Sequence, residues 1–362
     1  MRKRINLRMI RNLLLFIGLI ILTYWLIFRK QDMNELLKIV KSANKLYIIL
    51  GAIAMFMYFF MESYNIRCLL KVFGNHLSFV NALKFTFIGF FFSSITPAAS
   101  GGQPIEIYYM TKENISGANA TITLLIQLCG FQISTILLGI ICAIINFNVI
   151  KTNLLWLFIL GLTINLIALS LMLISVFSEK LTKKIVNLLV KILSIFKINK
   201  LKDRQIKIEE GLKEYNESSI FIKEHKSEFI KAIGRVFIQV CFYYIVPFCV
   251  YKSFNLNSYN LFQMFTMQAV LYTTVSSLPL PGAIGISESV FLSIFKPVFG
   301  SKYLTGAMLL SRGITFYLYV IISLIIVIIN AIKMKNIKGE IDKKVIEFET
   351  KYNKINPNLS FN

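Results

Sequence analysis

A chain of 362 residues with 40 Lys+Arg against 18 Asp+Glu carries a net charge of +22, yet only 16% of its residues are charged and 56% are hydrophobic. Soluble domains average about 25% charged and about 45–50% apolar residues. A mean hydropathy of +0.65 therefore excludes a soluble enzyme, a disulfide-knit secreted domain and a disordered chain. The basic residues lie in tails and loops between long uncharged runs, as in integral membrane proteins with cytoplasmic positive loops, and not on a face suited to nucleic acid.

An apolar bilayer core of about 30 Å asks for about 20 residues of helix. Runs that meet or approach that length are Asn12–Phe28, Leu46–Met61, Ala118–Ile150, Leu154–Ser178, Val236–Tyr251 and Gly313–Ile332. They predict six full spans, the shorter ones completed by flanking residues whose basic side chains can snorkel. The first follows Arg2, Lys3, Arg4, Arg8 and Arg11 and precedes Arg29-Lys30 where a cleavage site would need small residues, so it reads as a retained anchor and not a signal peptide. In the segment that follows, Lys38, Lys41 and Lys45 are spaced among Leu36, Leu37, Ile39 and Val40, the pattern of an interfacial amphipathic helix.

Two further apolar stretches are broken. Phe85–Ile105 is interrupted from Thr96 to Pro104, and Ser253–Ser287 from Pro279 to Gly285. Proline removes a donor and clashes with the preceding turn, so neither stretch carries one continuous helix. Unpaired backbone at membrane depth is tolerated only inside protein or beside a water-filled cavity. Both stretches are thus expected to form re-entrant hairpins of two half-helices. The basic N-terminal tail, the 179–228 segment (12 Lys+Arg, 8 Asp+Glu) and the 333–362 tail (7 against 4) are placed in the cytoplasm. That placement makes the first hairpin enter from the cytoplasmic side and the second from the outer side. The expected class is an all-α polytopic membrane protein with six spans and two inverted hairpins. Its single transmembrane domain covers residues 1–335, with 179–228 between the halves and a cytoplasmic tail at 336–362. Both termini would be cytoplasmic and the membrane the plasma membrane.

Oppositely oriented Pro/Gly-broken segments in corresponding halves point to a transporter-type site near the midplane. The first hairpin offers Pro97, Ser100, Gly101, Gly102, Gln103 and Glu106, and the half-helix starting near Pro104 aims its amides at the break, a ready anion site. The second offers Pro281, Gly282, Gly285, Ser287 and Glu288. Ionisable residues within membrane segments are functional candidates by default, which singles out Glu106, Glu288 and Arg312, then Glu62 and Arg67. The competing reading is that the carboxylates cap half-helices and pair internally with Arg312. Gln127, Gln132, Asn165 and Gln239 read as interhelical hydrogen-bond formers, and aromatic runs such as Phe90–Phe92 and Tyr243-Tyr244 as packing or lipid-facing surface. The five cysteines lack C-x-x-C spacing and His76 and His225 lack partners at ligand spacing, so neither a metal nor another cofactor is expected. There is no nucleophile–base constellation and no P-loop.

The two breaks, Thr96-Pro97-Ala98-Ala99-Ser100-Gly101-Gly102-Gln103-Pro104 and Pro279-Leu280-Pro281-Gly282-Ala283-Ile284-Gly285-Ile286-Ser287-Glu288, resemble the signature pair of the lysylphosphatidylglycerol synthase transmembrane-domain family. Asn65-Ile66-Arg67 and Ser311-Arg312-Gly313 are similar to it as well, and the resemblance covers roughly residues 10–335. It differs at Gln103 and Glu106, where many members carry Glu and Arg. The resemblance implies a flippase-like module that moves an anionic or aminoacylated phospholipid, or a polyprenyl-linked glycolipid, between leaflets. The substrate-binding set becomes Arg67, Pro97, Ser100, Gly101, Gly102, Gln103, Glu106, Pro281, Gly282, Gly285, Glu288 and Arg312. The family's soluble aminoacyl-transferase domain is not expected in the 30 residues after the last span. The rival function is a membrane component of lysyl-phosphatidylglycerol synthesis, or a partner of a lipid-linked glycosyltransferase. Expected partners are a membrane phospholipid and a separate transferase, with no nucleic acid.

Overall fold

The structure, a computed structural model, describes residues 33–96, 99–147, 154–177, 224–276, 278 and 280–333, together with Gly18 and Ile220. The Asn12–Phe28 run, Gly18 apart, the 336–362 tail and nearly all of 179–228 lie outside the described residues. Among the described residues there are helices and no strands. In chain order they are α1 (Met33–Ser42), α2 (Lys45–Val72), α3 (Phe79–Ser94), α4 (Gly102–Lys112), α5 (Gly117–Ile145), α6 (Leu155–Phe177), α7 (Lys226–Ser253), α8 (Leu261–Val275) and α9 (Ile286–Ile294). The last, α10, runs over Lys296–Lys333.

Five of these helices, α2, α5, α6, α7 and α10, are long and apolar enough to cross a bilayer. They coincide with five of the six runs read from sequence. At ~1.5 Å per residue, the 28 residues of α2 reach ~42 Å, more than the apolar core of a bilayer. The 16 residues of α3, 11 of α4, 15 of α8 and 9 of α9 do not reach across, so the broken stretches form helix pairs with short arms. Polar caps set where several helices begin. Ser78 accepts from the Asn81 amide at 3.2 Å and Ser116 from the Asn119 amide at 3.1 Å. Asn260 and Gln263 satisfy each other's amides, each at 2.9 Å, a reciprocal cap.

Helix ends differ from the sequence reading where a charge interrupts an apolar run. The last span was expected to start at Gly313, but α10 begins at Lys296 and carries Arg312 at mid-length. A kink at Gly300 and a π turn over Gly313–Tyr317 punctuate it. The helix continues through Arg312 because its guanidinium has partners inside the protein. In the same way α2 runs on past Glu62, and α7 starts ten residues before Val236.

The molecule is apolar outside. Leu46, Ile49, Ile53 and Phe56 along α2, and Ile321, Ile325, Ile328 and Ile332 along α10, are exposed at helical spacing, far more than a water-facing surface tolerates. Inside, α7 lies along α2 and packs on α5, while α8 is held between α5 and α6. An aromatic stack of Phe59, Phe87 and Tyr319 ties α2, α3 and α10 together. Here α1 packs against α10 with Leu36 buried and Leu37 exposed. The two hairpin tips meet where Phe91 and Ile95 at the end of α3 pack with Ile284 from the second break and Phe316 of α10.

Candidate functional site

The meeting of the tips leaves a cavity of about 300 Å³ among α2, α3, α4, α5, α7, α8, α9 and α10. Its wall includes Glu62, Gln103, Glu106, Gly282, Ser287 and Arg312, with Tyr58, Tyr243, Tyr272, Phe90 and Phe316 supplying rings. That size and mixture of apolar wall with few polar groups suits a small ligand or head group.

In the first hairpin, the Thr96 hydroxyl donates to the Phe92 carbonyl at 2.7 Å and accepts from the Gly101 amide at 2.9 Å. This clasp turns the chain at the end of α3 and launches α4 at Gly102. The two arms then close on a seam of small residues. A Cβ on Gly102 would stand 2.0 Å from the Ser93 hydroxyl, and one on Gly89 would stand 1.8 Å from a Glu106 carboxyl oxygen. The Glu106 side chain thus lies across Gly89. It is 5% exposed, lines the cavity, and its Oε2 has no hydrogen-bond partner among the described residues.

The second hairpin treats its carboxylate otherwise. Gly285 sits at φ 89°, which places its amide to donate to Glu288 Oε2 at 2.7 Å, so Glu288 caps its own half-helix. Its Oε1 accepts from Arg312 Nε at 2.8 Å, and Arg312 Nη2 donates to the Gly282 carbonyl at 2.9 Å. The guanidinium also lies 4.6 Å from the centre of the Phe316 ring, a cation–π contact. Both breaks hold a non-glycine residue in the left-handed region, Ala99 at φ 53° and Ala283 at φ 51°, backbone of a kind found at functional loops.

A polar chain also reaches the cavity. Arg235 Nε donates to Asn65 Oδ1 at 2.6 Å, and Asn65 Nδ2 donates to Gln127 Oε1. Gln127 Nε2 donates to Gln239 Oε1 at 2.8 Å, and Gln239 Nε2 donates to Glu62 Oε2 at 3.2 Å. Gln127 and Gln239 therefore bridge helices as the sequence suggested. So does Asn165, which donates to the Gly161 carbonyl at 2.9 Å and across to the Thr273 carbonyl at 3.2 Å.

Of the functional candidates singled out in sequence, Glu62, Gln103, Glu106, Gly282, Ser287 and Arg312 share the cavity wall. Glu288 stands behind Arg312, while Gly102 and Gly285 shape the backbone. Pro281 is buried in the second break. Ser100 is exposed and Gly101 half-buried at the first turn, neither on the wall. Arg67 is exposed on α2, away from the cavity. Pro97 lies outside the described residues. Sequence reading passed over Tyr58, Tyr272, Gln268 and Arg235. It also read Tyr243 and Phe90 as packing, yet both line the cavity. Only Arg235 had a usable signal, as a cation within one residue of an apolar run.

Fold and site together define a polytopic helical membrane protein with two broken-helix hairpins converging on a buried, partly charged cavity. The family described as the lysylphosphatidylglycerol synthase TM region matches residues 11–323, and the chain belongs to it. It is also 21% identical over 326 residues to a UPF0104 membrane protein of Archaeoglobus fulgidus, covering 87% of this chain and 96% of that protein.

Proposed function

We propose that the chain moves a lipid between leaflets by admitting its head group to the cavity between the hairpin tips. The supporting observation is the placement of Arg312. It is a guanidinium on the cavity wall of a body otherwise faced with apolar side chains, anchored through Nε and Nη2. Arginine suits phosphate by its planar donors. The lipid is an anionic or aminoacylated phospholipid, as the family's description suggests, or another lipid-linked head group. In this reading the hairpins re-enter from opposite leaflets, the protein sits in the plasma membrane with both termini cytoplasmic, and a separate transferase makes the lipid it moves. Such a role would support resistance to cationic peptides.

Purified protein in liposomes should redistribute a labelled anionic lipid between leaflets without forming a new product. Lipid retained by the protein and identified by mass spectrometry would name the class. The second reading, a membrane component of lysyl-phosphatidylglycerol synthesis, is favoured by the family's description alone. It predicts head-group transfer when the chain is supplied with lipid and aminoacyl donor. For the topology, a cysteine at Ser116 should label from the cytoplasm and one at Ser301, exposed on α10, from outside. Labelling of both from one side would sink the inverted arrangement.

A further inference from the structure

The cavity wall carries two carboxylates, Glu62 and Glu106. Their surroundings differ in a way that sorts them. Arginine has donors and no acceptor, so Arg235 forces the Asn65 carbonyl toward itself. That turns the Asn65 amide N–H toward Gln127, and the same logic passes through Gln239 to end on Glu62. Every link points its donor at Glu62, so one of its carboxyl oxygens accepts a hydrogen bond inside the protein. Among the described residues Glu106 has no such donor on Oε2, and it is nearly fully buried. A charge buried without a partner is costly, and a proton on that oxygen removes it.

The remaining ionisable groups on the wall do not change this ordering. Tyr58 is on the Glu62 helix, Tyr243 on α7 and Tyr272 on α8. Arg312 is engaged by Glu288. The α3 and α5 surfaces facing the cavity present Thr86, Ser93, Ser94 and Gln127 with no ionisable side chain. The cradle at Gly89 keeps the Glu106 carboxyl against the cavity, so the group is held at the wall and not folded away.

We propose that Glu106 is a proton-binding site of the cavity, taking its proton from solvent that enters the cavity and returning it there. If the cavity admits a phosphate-bearing head group, which rests on the function proposed above, the bound proton removes a negative charge that would oppose it. Proton and lipid then enter together.

Infrared difference spectroscopy of the purified protein in nanodiscs tests the site without any transport assay. The wild type minus Glu106→Gln spectrum should show a carboxylic-acid carbonyl band at neutral pH that shifts in heavy water. A difference spectrum without that band overturns the proposal, as does a band that ignores heavy water. Melting curves identify a variant that fails to fold, and the heavy-water shift of the same band in the wild type alone keeps the question decidable in that case. In liposomes, an imposed pH gradient should alter wild-type lipid redistribution at least tenfold more than that of Glu106→Gln. A band with no lipid movement at all would refute the lipid reading and leave the proton site standing. Lipid movement without the band would do the reverse.

Discussion

The two hairpins are built on one recipe, a Pro/Gly break followed by a half-helix with a glutamate in its early turns, and they use that glutamate in opposite ways. In the second, Glu288 is fully buried, accepts from the Gly285 amide and the Ser287 hydroxyl, and is paired with the Arg312 guanidinium. In the first, Glu106 lies in the cavity wall with an unpartnered oxygen. The capping-and-pairing reading thus describes Glu288 and not Glu106. Sequence recipe alone does not say which carboxylate stabilises the fold and which faces a ligand. That depends on whether another helix supplies a cation, as α10 does for Glu288 among the described residues.

The sharpest way to break the comparison is to remove the cation. Arg312→Gln leaves Glu288 buried without its partner, a loss of about 3–5 kcal/mol for a disrupted buried pair. Yield of monodisperse protein and its melting temperature should fall together. Adding Glu288→Gln removes the orphaned charge and should restore most of the stability. Lipid redistribution separates the two roles of Arg312: if it also holds a phosphate, the stable double variant stays inactive, and recovery of activity would limit Arg312 to structure. Arg312→Lys keeps the charge but not the fork, so it should fold and move lipid at least tenfold more slowly. By contrast Glu106→Gln should melt close to the wild type, because no ion pair is lost. A melting loss as large as that of Arg312→Gln would erase the distinction between the hairpins.

How far this was legible in sequence follows from how local each signal is. The hairpin breaks were visible because Pro and Gly act on their own neighbours, and α3 and α4 do flank the first break while α8 and α9 flank the second. Span ends were misjudged where a charge stopped an uncharged run. Arg312 is tolerated because of Glu288, 24 positions away, and Arg235 because of Asn65, 170 positions away. Glu62 meets Gln239 across 177 positions. No window along the chain sees such partners. Arg67 and Arg312 are both cations at the ends of apolar runs and look equivalent in sequence. Only the helix rotation that leaves Arg67 exposed tells them apart.

A medium effect sharpens the picture of the first hairpin. In Gly89→Ala the new methyl meets the Glu106 carboxyl at 1.8 Å. Overpacking of this kind costs about 1–3 kcal/mol. The penalty should shrink when Glu106 is also changed to Ala, and that coupling is the measurement that counts. Equal loss with and without the Glu106 side chain would mean that the seam fails elsewhere, for instance at Gly102 against Ser93.

The smallest expected effect concerns the polar chain that ends on Glu62. Hydrogen bonds between membrane helices average about 0.6 kcal/mol and reach about 1.7, because helices separated within the bilayer find other partners. Gln127→Leu breaks two links, its bond from Asn65 and its bond to Gln239, yet leaves the Gln239 donor on Glu62 in place. Its melting loss should therefore stay near the lower figure and well below that of Arg312→Gln. Gln239→Leu removes the donor from Glu62 itself, and a hydrogen bond to a charged group contributes about 1.5–3 kcal/mol. It should cost more than Gln127→Leu if Glu62 carries a charge. Equal losses for the two variants would mean that Glu62 needs no donor, and the chain from Arg235 would then be helix packing with no bearing on the charge of the cavity.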